Sequence, residues 1–196
     1  MKKLFHILAS EIGPGPTPWR LEIAQRFASR LPFLSYSRLR RAIYVWGGVE
    51  VGAGTALMGH LRLWGSERLR IGAHGSFSGP ISINLDAPVT IGDRVQIAHD
   101  VRIITVGHRI GPWTQRAGEP ERRPVSIGDG CWIGANATLL PGTTLGAGSI
   151  VSAGAVVNGE VPPDHVASGN PASCMPLPRA LRRKDGPKPD VSDPAG

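Results

Sequence analysis

A mainly β chain wound into a parallel β-helix of about five triangular coils, with an N-terminal helical cap and a protruding loop, is the architecture this sequence encodes. Three observations carry that expectation. An aliphatic residue recurs every six positions from Ile127, through Ile133, Leu139, Leu145, Val151 and Val157. Four residues after each stands a small or apolar one: Cys131, Ala137, Thr143, Ser149, Ala155 and Val161. The same phase runs upstream in sets of three, Ile91/Ile97/Ile103, Ile71/Phe77/Ile83 and Val51/Leu57/Leu63.

The breaks in the period are as informative as the period. Within a set the step is six; between sets it is eight, and between Ile103 and Ile127 it is twenty-four. Irregular steps therefore fall only after the third member. Three six-residue sides make one turn of a triangular prism, and insertions leave at one corner. Every sixth side chain then points inward, stacked over its counterpart one coil below at the strand spacing of ~4.8 Å. An ordinary β-sandwich explains alternation but not a step of six held over so many positions.

Composition agrees. The 196 residues carry 26 glycines and 18 prolines but few aromatics, which suits a fold of many turns and small side chains better than a helical bundle. The net charge of +7 sits at the ends. Residues 1–48 hold eight Lys/Arg against two acids, whereas residues 49–172 hold nine against ten. A nucleic-acid-binding core needs a basic stripe on the fold itself, so no nucleic-acid partner is expected. Cys131 and Cys174 make no disulfide framework. No apolar stretch approaches the ~18–20 residues of a membrane span. The start, MKKLFHILAS, imitates a signal peptide, but His6 interrupts a short apolar run and no small-residue cleavage pattern follows. These features lead to the expectation of a cytoplasmic protein.

The chain divides into a cap segment (1–48), the β-helix (49–172, with its loop at 107–124) and a basic tail (173–196), of which 185–196 are expected to be disordered. In the cap, Trp19, Ile23, Phe27 and Leu31 follow helical spacing, Pro32 breaks the pattern, and Tyr36 to Tyr44 resumes it. Two short helices covering the open first coil are the preferred reading, because a β-helix end exposes unpaired backbone. The arginines of this segment also suit an anionic membrane surface, which is the less favoured role.

The hexads IGDGCW, IGANAT, LLPGTT, LGAGSI and VSAGAV resemble those of the hexapeptide-repeat acyltransferases, whose fold is a left-handed parallel β-helix. The nearest branch is the sugar and polysaccharide O-acetyltransferases similar to the galactoside and maltose enzymes, and the resemblance covers about 49–172. It implies an acetyl-CoA-dependent enzyme without a metal, a homotrimer with its sites between subunits, and a small sugar or glycan acceptor, as in polysaccharide biosynthesis.

The same resemblance assigns residues. His108, at the root of the eighteen-residue excess that begins in the stretch VGHRIGPWTQRAGEPERRP, matches the catalytic base, although Arg109 stands where relatives often carry Pro. The chemistry wants this residue type: imidazole, with a pKa of ~6.5, is neutral at working pH and basic enough to take a sugar hydroxyl's proton. Asn84 resembles the asparagine that contacts acceptor, with Asp86 as a lesser candidate. Trp132 matches a tryptophan at the coenzyme A groove, and Ala135 and Ala153 match small positions along the pantetheine arm. Asn158 and Gly159 occupy the adenosine-side position but depart from the Thr-Lys of relatives, and Arg179, Arg182, Arg183 and Lys184 could compensate. Asp100 and Glu119 are possible orienting partners for His108, and His99 is read as an outward residue on a coil side.

Other functions also occur on this fold. A zinc hydrolyase like the γ-class carbonic anhydrases needs closely spaced histidines, and the nearest pair here is His99 and His108, nine residues apart. An N-acetyltransferase of an amino sugar, a serine acetyltransferase-like enzyme and a non-enzymatic β-helix scaffold are the alternatives.

Overall fold

The computed structural model describes residues 19–182. The signal-like start, Arg183, Lys184 and the 185–196 segment lie outside them. Three parallel sheets form the sides of a left-handed triangular β-helix. Face one stacks Glu50–Val51, Leu69–Ile71, Val89–Ile91, Val125–Ile127, Thr144–Leu145 and Glu160–Val161. Face two stacks Ala56–Leu57, Ser76–Phe77, Gln96–Ile97, Trp132–Ile133, Ile150–Val151 and His165–Gly169. Face three stacks Leu61–Gly65, Ile81–Leu85, Arg102–Ile103, Thr138–Leu139 and Val156–Val157. Five coils are complete and a sixth supplies two sides. Ala172–Pro176 then folds back antiparallel on His165–Gly169.

Every member of the six-residue repeat points inward and is at most 9% exposed. The columns are those the period demands: Ile97 pairs with Ile133, and Ile133 with Val151. Burying each such side chain contributes roughly 1.5–3 kcal/mol, so the stacked columns are the main source of stability. The glycine after the aliphatic residue has a steric cause. A Cβ on Gly134 would lie 2.5 Å from the backbone nitrogen of Ala153 one coil on. The close approach that forbids a side chain brings the Gly134 N–H to the Val151 carbonyl at 2.8 Å.

The last coil is shorter than the period predicts. A full turn from Leu145 would place Pro163 in the column of face one, but Val161 pairs with Leu145 instead. Proline cannot donate to a strand ladder, and residues 162 and 163 are both proline. Gly159, at φ +96°, tightens the preceding corner and brings Val161 into register. Val161, four residues after Val157, is thus itself a column residue.

The two expected helices form, α1 at Trp19–Ala28 and α2 at Ser37–Trp46. Their orientation differs from the simplest reading of the spacing. Leu21, Ala24 and Ala28 are the buried residues of α1, while Trp19 and Phe27 point outward and Leu31 falls beyond its end. Small residues turned inward let the helices meet closely, with Ala24 against Gly47.

Arg40 joins the cap to the first coil. It is 1% exposed and donates to the carbonyls of Ala28, Leu31, Pro32, Ser35, Leu57 and Met58. Burial lowers its pKa. The Tyr44 hydroxyl donates to the Leu61 carbonyl at 2.9 Å and accepts from the Leu61 N–H at 2.7 Å, and Gln25 accepts from the Leu63 N–H. The exposed backbone of the first coil is thereby satisfied by side chains of the cap.

Candidate active site

The eighteen-residue insertion folds as a β-hairpin rather than an irregular loop. Val106–Ile110 pairs antiparallel with Ala117–Arg122, with a register shift between His108 and Ile110. Its base is closed by the Arg123 N–H donating to the Thr105 carbonyl at 2.9 Å. Ile110 and Trp113 project from its far end, 88% and 81% exposed. A cavity of about 510 Å³ lies along the distal half, lined by Arg109, Thr114, Gln115 and Glu119 among others.

His108 sits on the first hairpin strand, opposite Pro120, with its ring exposed. Nδ1 lies 2.8 Å from the Gly118 carbonyl oxygen. A carbonyl only accepts, so Nδ1 carries the proton and Nε2 keeps its lone pair. The orienting group is therefore a backbone atom of the facing strand. It is neither Glu119 nor Asp100, whose carboxylate lies 3.1 Å from Nδ1 of His99 instead.

Beneath the hairpin a buried network fixes its root. Asn84 lies one coil below, in the strand that pairs with Arg102–Ile103. Its carboxamide oxygen accepts from the Thr105 hydroxyl at 2.6 Å and from the Thr105 N–H at 3.2 Å. Its amide donates to Asp86 at 2.9 Å. The Thr105 hydroxyl also accepts from the Ala87 N–H. Asn84 is 2% exposed, so in this chain it offers no open surface to an acceptor. Asp86 is only partly buried and forms the accessible end of the network. Thr105, wholly buried, is the member that sequence reading missed; it lies two residues beyond Ile103, where the regular side ends.

The remaining candidates separate by prism edge. His108, Asn84 and Asp86 emerge on the edge between faces three and one, in the third and second coils. Asn158 and Gly159 share that edge in the fifth coil. Trp132 projects outward from face two, 56% exposed. Ala135 and Ala153 turn the edge between faces two and three, stacked so that the Gly154 N–H donates to the Ala135 carbonyl. His99 and Asp100 belong to that second edge too, with the Asn136 N–H donating to the His99 carbonyl. His99 is thus at a corner rather than on a side.

Arg182 donates to the Leu177 carbonyl at 2.6 Å, and Arg179 is exposed. Neither cysteine joins these groups. Cys131 is buried in a corner, where burial raises its thiol pKa, and Cys174 is exposed. Among the described residues, no three His, Cys, Asp or Glu side chains group as a metal site.

Comparison with known proteins bears on the repeat and the fold. Residues 124–158 match a model described as the hexapeptide repeat of succinyl-transferase. The galactoside O-acetyltransferase of Escherichia coli is 40% identical over 86 residues, covering 44% of this chain and 42% of that protein. The enzyme of the same name from Lactococcus lactis is 32% identical over 90 residues, covering 46% and 42%. The chain thus matches less than half the length of these curated relatives.

Among solved structures, a hexapeptide-repeat acetyltransferase of Vibrio cholerae complexed with acetyl-coenzyme A superposes with a TM-score of 0.72 at 26% identity, covering 82% of this chain and 86% of that one. A maltose O-acetyltransferase of Clostridium difficile gives 0.68 at 25% identity, with the same two coverages. In sequence repeat and in fold, the chain is similar to the hexapeptide-repeat acetyltransferases.

Proposed function

We propose that this chain is a coenzyme A-dependent O-acetyltransferase that moves acetyl directly from acetyl-CoA to a hydroxyl of a sugar or glycan precursor, with His108 as general base. The observation that carries the reading is the 2.8 Å bond from His108 Nδ1 to the Gly118 carbonyl, which leaves Nε2 as a free, oriented base. Nε2 takes the hydroxyl proton as the acceptor oxygen bonds to the thioester carbon. The tetrahedral oxyanion is held by a backbone N–H and collapses by breaking the carbon–sulfur bond. The leaving thiolate receives the proton from the imidazolium, so the base is regenerated and no enzyme nucleophile is used.

Similarity to proteins named for galactoside and maltose O-acetylation supports the acceptor class, and similarity to a hexapeptide-repeat acetyltransferase complexed with acetyl-CoA supports the donor. Trp132, Ala135 and Ala153 then line the pantetheine arm, where small side chains let the ligand reach the backbone. Asp86 faces the acceptor and Asn84 positions it. Asn158 and Gly159 lie on the base's edge, so they serve the cofactor only from a neighbouring copy. This division of edges supports a homotrimer with shared sites. The protein acts in the cytoplasm, where acetyl-CoA is supplied.

Calorimetric titration with acetyl-CoA and desulfo-CoA, followed by an acceptor screen, tests the reading. Binding near one per subunit, together with transfer to sugar hydroxyls that falls about 10²–10⁴-fold in His108→Ala while binding persists, is the expected result. Turnover near wild type in that variant refutes the base. No binding to millimolar ligand by folded protein points to a scaffold, and turnover confined to amine acceptors points to an N-acetyltransferase.

A further inference from the structure

The cap has two faces, and among the described residues only one is used. The inner face satisfies the first coil through Arg40, Tyr44 and Gln25. The outer face is an apolar groove of about 430 Å³ between α1 and α2, lined by Ile23, Ala24, Phe27, Ala42, Ile43 and Trp46, with no polar side chain among them. Trp19 stands edge-on to Trp46 at 6.2 Å beside it. Trp19, Phe27 and Trp46 are 63%, 62% and 50% exposed, and no other described residue covers them.

The charge around this groove names its partner. Arg20, Arg26, Arg30 and Arg38 are exposed on the same two helices and the turn between them, and the one acid between residues 19 and 49 is Glu22. The Arg20 guanidinium lies over the Trp19 ring, 5.4 Å from its centre, so aromatic and cation stand together at the rim of the groove. We propose that this face docks on an anionic lipid surface, with Trp19, Phe27 and Trp46 at the headgroup–acyl boundary and the arginines at the phosphates.

A second copy fits the groove poorly, because two such faces would bring eight exposed arginines together against two glutamates. The segment before residue 19 carries Lys2 and Lys3 against Glu11 and so adds the same sign. The helices cover an end of the prism, not a side. Subunits packed side by side would present their caps on one plane, and several weak patches on one plane bind together far more tightly than one.

Flotation of the full chain with phosphatidylcholine vesicles and with vesicles enriched in phosphatidylglycerol tests the assignment. Expected are co-flotation with the anionic vesicles alone, weakening with salt, and a loss of about tenfold or more in Phe27→Ser/Trp46→Ser at unchanged melting temperature. Arg26→Gln/Arg30→Gln is expected to give a partial loss. The proposal is overturned if the full chain fails to float with anionic vesicles at low salt. It is equally overturned if the apolar double variant floats as well as wild type, which would reduce the effect to basic adhesion. Two further results count against it: flotation only after residues 2–17 are removed, which would make that segment the occupant, and a change of oligomeric size in the double variant with no vesicle binding, which would make the occupant a second copy.

Discussion

A backbone carbonyl holds the His108 ring. Sequence patterns mark side chains, and the hairpin root marked this histidine, but Gly118 contributes only its C=O and so leaves no signature in residue type. The same limit hid the fate of Asn84: a corner asparagine looks alike whether it meets a ligand or, as here, is consumed by Thr105 and Asp86. A second residue-scale consequence concerns Tyr44. Burial pushes its hydroxyl up to about 12 from 10.0, because the phenolate would lose its solvation, against an opposing pull from the Leu61 backbone hydrogen bond and the Arg40 charge. A pKa raised in the folded state stabilises fully below the unfolded pKa and is lost as pH rises through the folded value. The contribution therefore holds below pH 10.0 and disappears as pH climbs toward about 12. Tyr44→Phe leaves the Leu61 N–H and C=O without partners and is expected to cost about 1–3 kcal/mol at neutral pH. Denaturant unfolding of both proteins across that alkaline window should show the gap between them narrowing. A gap that stays constant would mean that Tyr44 does not titrate against the fold.

At the scale of elements, the coils were legible because burial in a prism recurs with a strict step, and a run of fifteen buried positions leaves little room for another fold. The shortened last coil was less so, since two competing signals overlapped: the six-residue phase and the Pro162-Pro163 pair, and the ladder obeyed the prolines. In the cap, the helices were readable but not their inner face. Helical spacing offers a large aromatic stripe and a small Leu21/Ala24/Ala28 stripe, and close packing onto Gly47 selects the small one. Arg40 then links the cap to the coil with six carbonyl acceptors and no carboxylate. Arg40→Met strands those oxygens and is expected to destabilise the cap by about 3 kcal/mol or more. Arg40→Lys, with three donors, should fall between. Hydrogen exchange checks this locally: amides of residues 19–46 should lose protection while those of residues 69–161 keep theirs. Uniform loss throughout would mean that the cap and coils unfold as one unit.

At the scale of the molecule, the candidate base and the candidate cofactor groove lie on different prism edges, and a rigid stack of parallel coils gives one chain no way to bring them together. His108 leaves the edge between faces three and one; Ala135 and Ala153 turn the edge between faces two and three. A ring of copies solves this, because in a head-to-tail arrangement one copy's first edge meets the next copy's second. If the proposed trimer is built this way, each site takes its base from one subunit and its groove from the neighbour. Two inactive variants should then rescue each other. His108→Ala lacks the base but keeps its groove, and Ala153→Tyr fills the groove but keeps its base. Random trimers formed at equal ratio, by co-expression or by refolding together, would regain about a quarter of the wild-type rate, since half the bases are intact and half of their partners' grooves are open. Size measurement must show each variant trimeric on its own, because Ala153→Tyr could fail by blocking assembly. Activity that stays at the level of the separate variants, in trimers shown to be mixed, would place base and groove in a single chain and end the two-edge account of the site.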